Sequence, residues 1–510
     1  MPAPVQITIV PQPAFLGLNK ERQQVVQQPS WAIEAQNAVI DGAGRLAARR
    51  GFDTITTSAV ESGAAIRSVF EYVQIDSDVF VVSATATKLY EGTTTLSDIT
   101  GAVTQTAGRW QFVNFNGSVY GWQKSHTPIV WAGTGNFAHL TAASGTLPDG
   151  DCVAAAFGRL WGLDDDKQTI RYCGLLTPTL WAAADGGGAI DMRQVWTRGT
   201  DEVVAITAYG SRLVVFGKRH VVLWADGSGS EIGLDPTAMY VEQSLEGIGA
   251  IARDSVQQVG ELDVVFWSES GVRALRRALS EKPTPVNDSS GNIRTFMEGV
   301  RATANMDNVR SVYSPTHGFY LLSVPDSDVT MCFDTKFELE NGAMRVTEWP
   351  GFDPTAMGIR LDGTVLFGGA GELGRYLGFD DDGAAYTFAY RMPWVEGPGG
   401  AGRLNFLKEI GAIVLAPDDT PIVFKWWTDF KSNVHSVTKT VTGGAFAEYN
   451  ADALYSVAEY SGDITVKDLR VVVETGSEHQ FASIGIQVDI NGFPFALQSA
   501  RTVVRAGRSS

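Results

Sequence analysis

The residues most able to do chemistry are scattered. Six histidines (His126, His139, His220, His317, His435 and His479) include no pair at a metal-ligand spacing. His220 opens an apolar run, which suits a hydrogen-bonded structural imidazole better than a ligand. Cys152, Cys173 and Cys332 give no CxxC pair for zinc and cannot build a disulfide framework, so folding in a reducing compartment is expected. Cys173 and Cys332 fall inside strand-like runs and read as buried, inert thiols. The acidic runs Asp164-Asp165-Asp166 and Asp380-Asp381-Asp382-Gly383 lack the alternating carboxylates and downstream glutamate of a calcium loop, so solvated turns are expected. No GxSxG elbow, P-loop or HExxH helix is present, and no pair among the 57 acids is singled out for glycoside cleavage. Gly227-Ser228-Gly229-Ser230 reads as a flexible loop, because no helical pattern follows that could cradle a phosphate. Thirteen tryptophans could form a stacking groove for carbohydrate. Trp122, Trp131, Trp161, Trp224 and Trp267, however, sit within repeated strand patterns, where filling space between sheets is the simpler role. No catalytic residue, metal or cofactor is expected, and the chain reads as a non-enzyme.

Charge narrows the classes further. Across 510 residues, 40 Lys and Arg stand against 57 Asp and Glu, a net charge of −17. Wrapping nucleic acid by neutralising phosphates needs the opposite balance. The first fourteen residues carry no basic segment ahead of an apolar stretch, and no window approaches the roughly 18 apolar residues of a membrane span. A soluble protein made in the cytosol is expected. Hydrophobic residues at 44% and charged residues at 19% indicate a folded chain of two or three domains, and 55 glycines against 20 prolines point away from a helix-rich one.

The elements that would position any site come from a repeat. Seven times a short apolar run, a turn and a second apolar or aromatic run follow one another, the first runs starting at 78, 118, 159, 212, 263, 318 and 364. Ser118-Val119-Tyr120-Gly121-Trp122 followed by Pro128-Ile129-Val130-Trp131 is typical. Most units add a β-like run upstream, as at 68–70, 110–115, 153–157 and 203–208. β-Branched and aromatic residues favour strands, and glycines near the turns (Gly117, Gly271, Gly363) allow tight reversals. A spacing of about 40–50 residues over some 300 residues predicts an all-β fold with β-propeller repeats of six or seven blades. One long β-sandwich, or two, is the alternative, since its hairpins also recur. Helices are expected only over 33–39, after Ser30 as N-cap, and over 292–305.

The flanks differ. A glycine-rich stretch over 397–402 reads as a linker, and beyond it 406–415, 422–427, 464–473 and 481–490 alternate as strands. Asn491-Gly492 predicts a hairpin joining 484–490 to 493–497, and Arg501, Arg505 and Arg508 form a basic tail. The first 60 residues are extended, glutamine-rich and too polar to build a core alone. The expected organisation is thus an N-terminal arm and assembly segment over 1–60, propeller-like repeats over 61–395, and a C-terminal antiparallel β-domain over 396–510, packed with the arm.

Within the arm, Asn37-Ala38, Asp41, Gly44-Arg45-Leu46 and Arg49-Arg50-Gly51 make a pattern N-A…D-x-x-G-x-L-x-x-R-x-G. This resembles the opening of tail nozzle proteins of short-tailed bacteriophages, the tail tubular protein B and packaged-DNA stabilisation families. Arg403-Leu404-Asn405-Phe406 and the stretch from Lys425-Trp426 to Asp429 are similar in flavour and less specific. The resemblance implies a structural virion protein of the tail, assembled in the host cytoplasm. Six copies would ring a channel below the portal and its adaptor, carry tail fibres or spikes, hold the double-stranded genome and then pass it. An acidic or neutral bore would suit that task, since each basic contact would retard a sliding duplex. Arg45, Arg49 and Arg50 of the arm, and Trp426, Trp427 and Phe430 of the C-terminal domain, are the candidate interface residues. The alternatives are a phage-borne propeller that binds or depolymerises glycans, although S-x-D-x-G-x-x-W boxes and WD dipeptides are missing, and a scaffold propeller that binds proteins through its loop tips.

Overall fold

A computed structural model describes residues 5–9 (backbone only), 15–25, 27–106, 108–197, 199–227, 235–260, 263–281, 289–339, 342–398, 404–442 and 465–506. Residues 228–230, most of the glycine-rich stretch, Arg403, residue 464 and Arg508 lie outside them. The chain divides into two compact units, one of Thr54–Met344 with Gly351–Tyr376, the other of Met1–Asp53, Arg345–Pro350 and Leu377–Ser510. Both are β-rich. Among the described residues the longest helix is Arg294–Thr303, and no helix is long and apolar enough to cross a membrane.

Among the described residues the larger unit holds seven antiparallel sheets or sheet segments in chain order. Four have four strands each: Ser68–Val73, Val79–Ala84, Leu89–Glu91 and Ser97–Asp98; Gln111–Phe115, Ser118–Trp122, Ile129–Trp131 and Ala138–His139; Val153–Ala156, Arg159–Leu163, Thr169–Tyr172 and Gly188–Asp191; and Val203–Tyr209, Arg212–Gly217, His220–Asp226 and Met239–Glu246. Three more show three strands each in this unit: Gln257–Val259, Asp263–Ser268 and Gly271–Ala274; Arg310–Ser314, Phe319–Val324 and Val329–Glu338; and Ala356–Ile359, Val365–Gly368 and Leu373–Tyr376. Each is a meander because its connections are short. Asn116-Gly117, both left-handed at φ 47° and 73°, reverse the chain between paired Phe115 and Ser118.

The first strands of these sheets lie side by side in sequence order. Ser68–Val73 neighbours Gln111–Phe115, which neighbours Val153–Ala156, then Val203–Tyr209; the turn Arg253–Ser255 follows, and Gln257–Val259 neighbours Arg310–Ser314, then Ala356–Ile359, which lies against Ser68–Val73 again. Apolar side chains fill the spaces between consecutive sheets. Tyr72, Val82, Phe112 and Val119 pack between the first and second, and Trp122, Val153, Leu160 and Trp181 between the second and third. Val214 and Phe216 meet Val264 and Phe266 between the fourth and fifth, and Val81 and Tyr90 meet Leu366 and Leu373 between the first and seventh. Two-sided burial explains why the second strands read as near-continuous apolar runs. Trp122, Trp161 and Trp267 are wholly interior and serve as packing.

In the other unit one sheet runs Ala38–Ile40, Leu46–Ala48, Ala496–Ala506, Asn405–Ala416, Thr465–Val472, with Val5–Ile9 also paired to Ala496–Ala506. A second includes Glu34–Gln36, Tyr386–Arg391, Phe481–Ile490, Pro421–Thr428 and His435–Thr440. Strict alternation along Pro421–Thr428 sends Ile422, Phe424 and Trp426 into a core shared with Leu407, Ile410 and Val414 of the first sheet.

Two sequence expectations give way here. Residues 33–39 are not helical: Glu34–Gln36 and Ala38–Ile40 are strands of different sheets, with Asn37 at φ 50° turning the chain between them. Asn491-Gly492 does not close a hairpin either, because Phe481–Ile490 and Ala496–Ala506 belong to different sheets and the turn crosses from one to the other. The arm does contribute to a core, through Phe15, Ala32, Ala35, Ala38, Ile40, Leu46 and Ala48.

Candidate functional site

At the ends of the first strands in the larger unit lies a cavity of about 560 Å³, lined chiefly by charged and amide groups. Arg67 directly precedes the first strand of the first sheet, Arg109 and Asp151 stand two residues ahead of the next two, and Arg253-Asp254 form the turn before the fifth. The wall is completed by Lys124, Ser125, His126 and the turn Met306–Asn308 with Asn305. Among the described residues the lining contains no Trp, Tyr or Phe.

Asp254 is the hub. Its carboxylate accepts from Arg253 Nε at 2.8 Å and Nη2 at 3.1 Å, and from Arg109 Nη1. Arg109 Nε donates to the Arg67 carbonyl at 3.0 Å and its Nη1 to the Val309 carbonyl at 3.1 Å, while Arg253 Nη1 donates to the Asp151 carbonyl. Behind the cavity, buried Arg310 donates from Nε to the Thr355 carbonyl at 2.7 Å, and Thr355 Oγ1 donates to the Ile66 carbonyl at 2.6 Å. Guanidinium forks thereby tie the first, second, third, fifth, sixth and seventh sheets together where their leading strands begin.

Burial pushes the Asp254 carboxyl up, but Arg109 and Arg253 outweigh it and hold the group far below the usual carboxylate range. Arg310 is lowered by burial first and by the neighbouring Arg109 next. Two guanidiniums (Arg109, Arg253) thus bond the hub carboxylate, Arg310 lies within its electrostatic reach, and Arg67, Asp151 and Asp307 complete the charged wall. Sequence reasoning missed this cluster. The available signal was positional: a charged residue recurs at or just ahead of several leading strands.

The sequence-marked residues lie in the other unit. Arg49 is 1% exposed, its Nη1 and Nη2 forming a fork onto Asp381 at 2.7 and 2.6 Å and its Nε donating to Asn37 Oδ1 at 2.9 Å. Its guanidinium lies 4.1 Å from the Tyr386 ring centroid, and Tyr386 Oη donates to the Arg49 carbonyl. Trp426 is equally buried, against His435. Both side chains belong to the internal packing of this unit. Arg45 is partly exposed and paired with Asp41 at 2.6 Å, and Arg50 is exposed with its guanidinium 6.0 Å from the Phe379 ring. Half-buried Trp427 lies under Arg391 at 3.8 Å, and Phe430, 53% exposed, packs on Trp394 and Phe481.

The remaining candidates resolve individually. His220 Nδ1 contacts Asp201 Oδ2 at 2.9 Å in a buried pair. All three cysteines are buried, and burial raises Cys152 to about 12. Asp164 pairs with Arg171, and Asp166 accepts from the amides of Gln168 and Thr169. Asp381 is more than a solvated turn residue, since it holds Arg49. Among the described residues no three His, Cys, Asp or Glu side chains are placed to hold a metal ion.

No family model matches the chain, and no curated protein does. Similar solved structures include a streptogramin B lyase, 10% identical over 64% of this chain and 97% of that one, TM-score 0.37. The extracellular domain of a hybrid two-component system from B. thetaiotaomicron is 9% identical over 70% of this chain and 43% of that one, TM-score 0.39. Kluyveromyces lactis Hsv2 is 8% identical over 53% and 81%, TM-score 0.32.

Proposed function

We propose that the seven sheets are blades of one closed seven-bladed propeller, and that the chain is a structural component of a virion, the tail nozzle of a short-tailed bacteriophage. The propeller reading is supported by the neighbour order of the leading strands, which returns from Ala356–Ile359 to Ser68–Val73. The observation that carries the nozzle reading is the fate of the arm pattern on which the resemblance rests. Asn37 makes the left-handed junction, the Asp41 carboxylate caps the amides of Ala43 and Arg45, Leu46 enters the core, and Gly51 packs on the backbone of Asp380. Each residue of the pattern has a scaffolding task, so the likeness is one of architecture.

In this reading six copies form a ring, contact the adaptor or portal and the fibres, and leave a bore through which duplex DNA slides. The net charge of −17 favours passage over retention by phosphate contacts. Electron microscopy of the purified full chain tests it directly. Sixfold rings with an axial opening are expected. A monomer that cleaves or binds bacterial surface polysaccharide would overturn the nozzle reading in favour of the glycan-active alternative, and a bore lined continuously by Lys and Arg would overturn the conduit role.

A further inference from the structure

We propose that the cavity around Arg67, Arg109, Arg253 and Lys124 is a binding site for a small oxyanion, a phosphate- or carboxylate-bearing molecule. Charge supports this. The lining places three arginines and Lys124 against Asp151, Asp254 and Asp307, with Arg310 immediately behind, in a chain that is acidic as a whole. The hub carboxylate already accepts a fork from Arg253 and a single bond from Arg109. Crowded guanidiniums in a partly desolvated wall gain from a further anion, and their planar donors match its oxygens. Arg109 and Arg253 keep only 14% and 12% of their side chains exposed, so an ion bound beside them is shielded from competing water.

The other wall groups set the class. Gln123, Asn308 and Ser125 are already bonded to Thr106, Asp326 and Asp165 and make a fixed polar wall, and among the described residues the lining has no Trp, Tyr or Phe on which a neutral sugar ring could stack. A space of about 560 Å³ admits a compact ligand and excludes a duplex. The inference is independent of the nozzle reading, because it concerns the interior of one unit of one chain.

Calorimetric titration of the full chain with inorganic phosphate and, separately, with citrate tests it, at matched ionic strength in chloride. Saturable binding of one equivalent is expected. Phosphate alone binding assigns a phosphorylated ligand, citrate alone a carboxylate, and both a general oxyanion site. R67Q and K124Q should each weaken binding at least tenfold. Lys124 is exposed, so K124Q keeps the test informative if R67Q fails to fold. Heat no greater than the chloride control for both anions, or full affinity retained in folded variants, would overturn the proposal.

Discussion

At the residue scale, two arginines four positions apart, Arg45 and Arg49, separate burial from exposure. Arg49 combines a bidentate pair, a bond to Asn37 and a ring face while fully enclosed. Arg49→Ala strands Asp381 and is expected to cost about 3–5 kcal/mol in urea unfolding. Arg45→Ala removes a partly exposed pair with Asp41 and should cost under ~1 kcal/mol by the same measurement. His479 supplies a pH signature. It is 1% exposed, and burial lowers its pKa below the usual 6.5. The unfolded chain then binds the proton more readily, so this contribution is complete above about pH 6.5 and lost as the pH falls through the lowered folded value. Stability measured from pH 7.5 to 5 should decline less steeply in His479→Gln than in the parent.

At the element scale, backbone proximity sets tolerance. A Cβ on Gly51 would stand 1.6 Å from the Asp380 carbonyl oxygen, beside the bridge between Phe52 and Asp381. Gly51→Ala is expected to destabilise by about 1–3 kcal/mol or more, read as a lowered denaturation midpoint. What was legible in the sequence follows the same logic of distance. The hairpins over 118–131 and 212–224 could be read because both partners and the turn lie within some 15 residues and both faces are apolar. The strand Glu34–Gln36 could not, being three residues long and paired to Ala389, Tyr390 and Arg391, and Ala38–Ile40, equally short, continues from it into a different sheet. Local propensity favoured a helix there; tertiary pairing and Asn37 overrode it. The cavity arginines escaped for a related reason, since no two are neighbours in sequence and only the ordering of sheets brings them together.

At the scale of the whole molecule, the arm is part of a folded unit. Phe15 meets Tyr390 edge-on with centroids 5.3 Å apart, and Leu18 is fully buried. Removing residues 1–30 also removes the strand Val5–Ile9, so the truncated chain is expected to lose ordered β-structure, seen as lowered stability and new protease cleavage within 377–506. A truncated chain with unchanged stability would show that these contacts contribute little. The pairing of Val5 with Arg505 also has a consequence for biosynthesis. At roughly 5–20 residues per second, a ribosome makes the second partner ~25–100 s after the first. Through that interval the earliest segment emerges without its mate, while each compact meander can form within seconds of leaving the exit tunnel. Nascent-chain proteolysis should therefore find Val5–Ile9 cleavable until Ala496–Ala506 has emerged, which makes translation speed and chaperone occupancy of that segment determinants of yield.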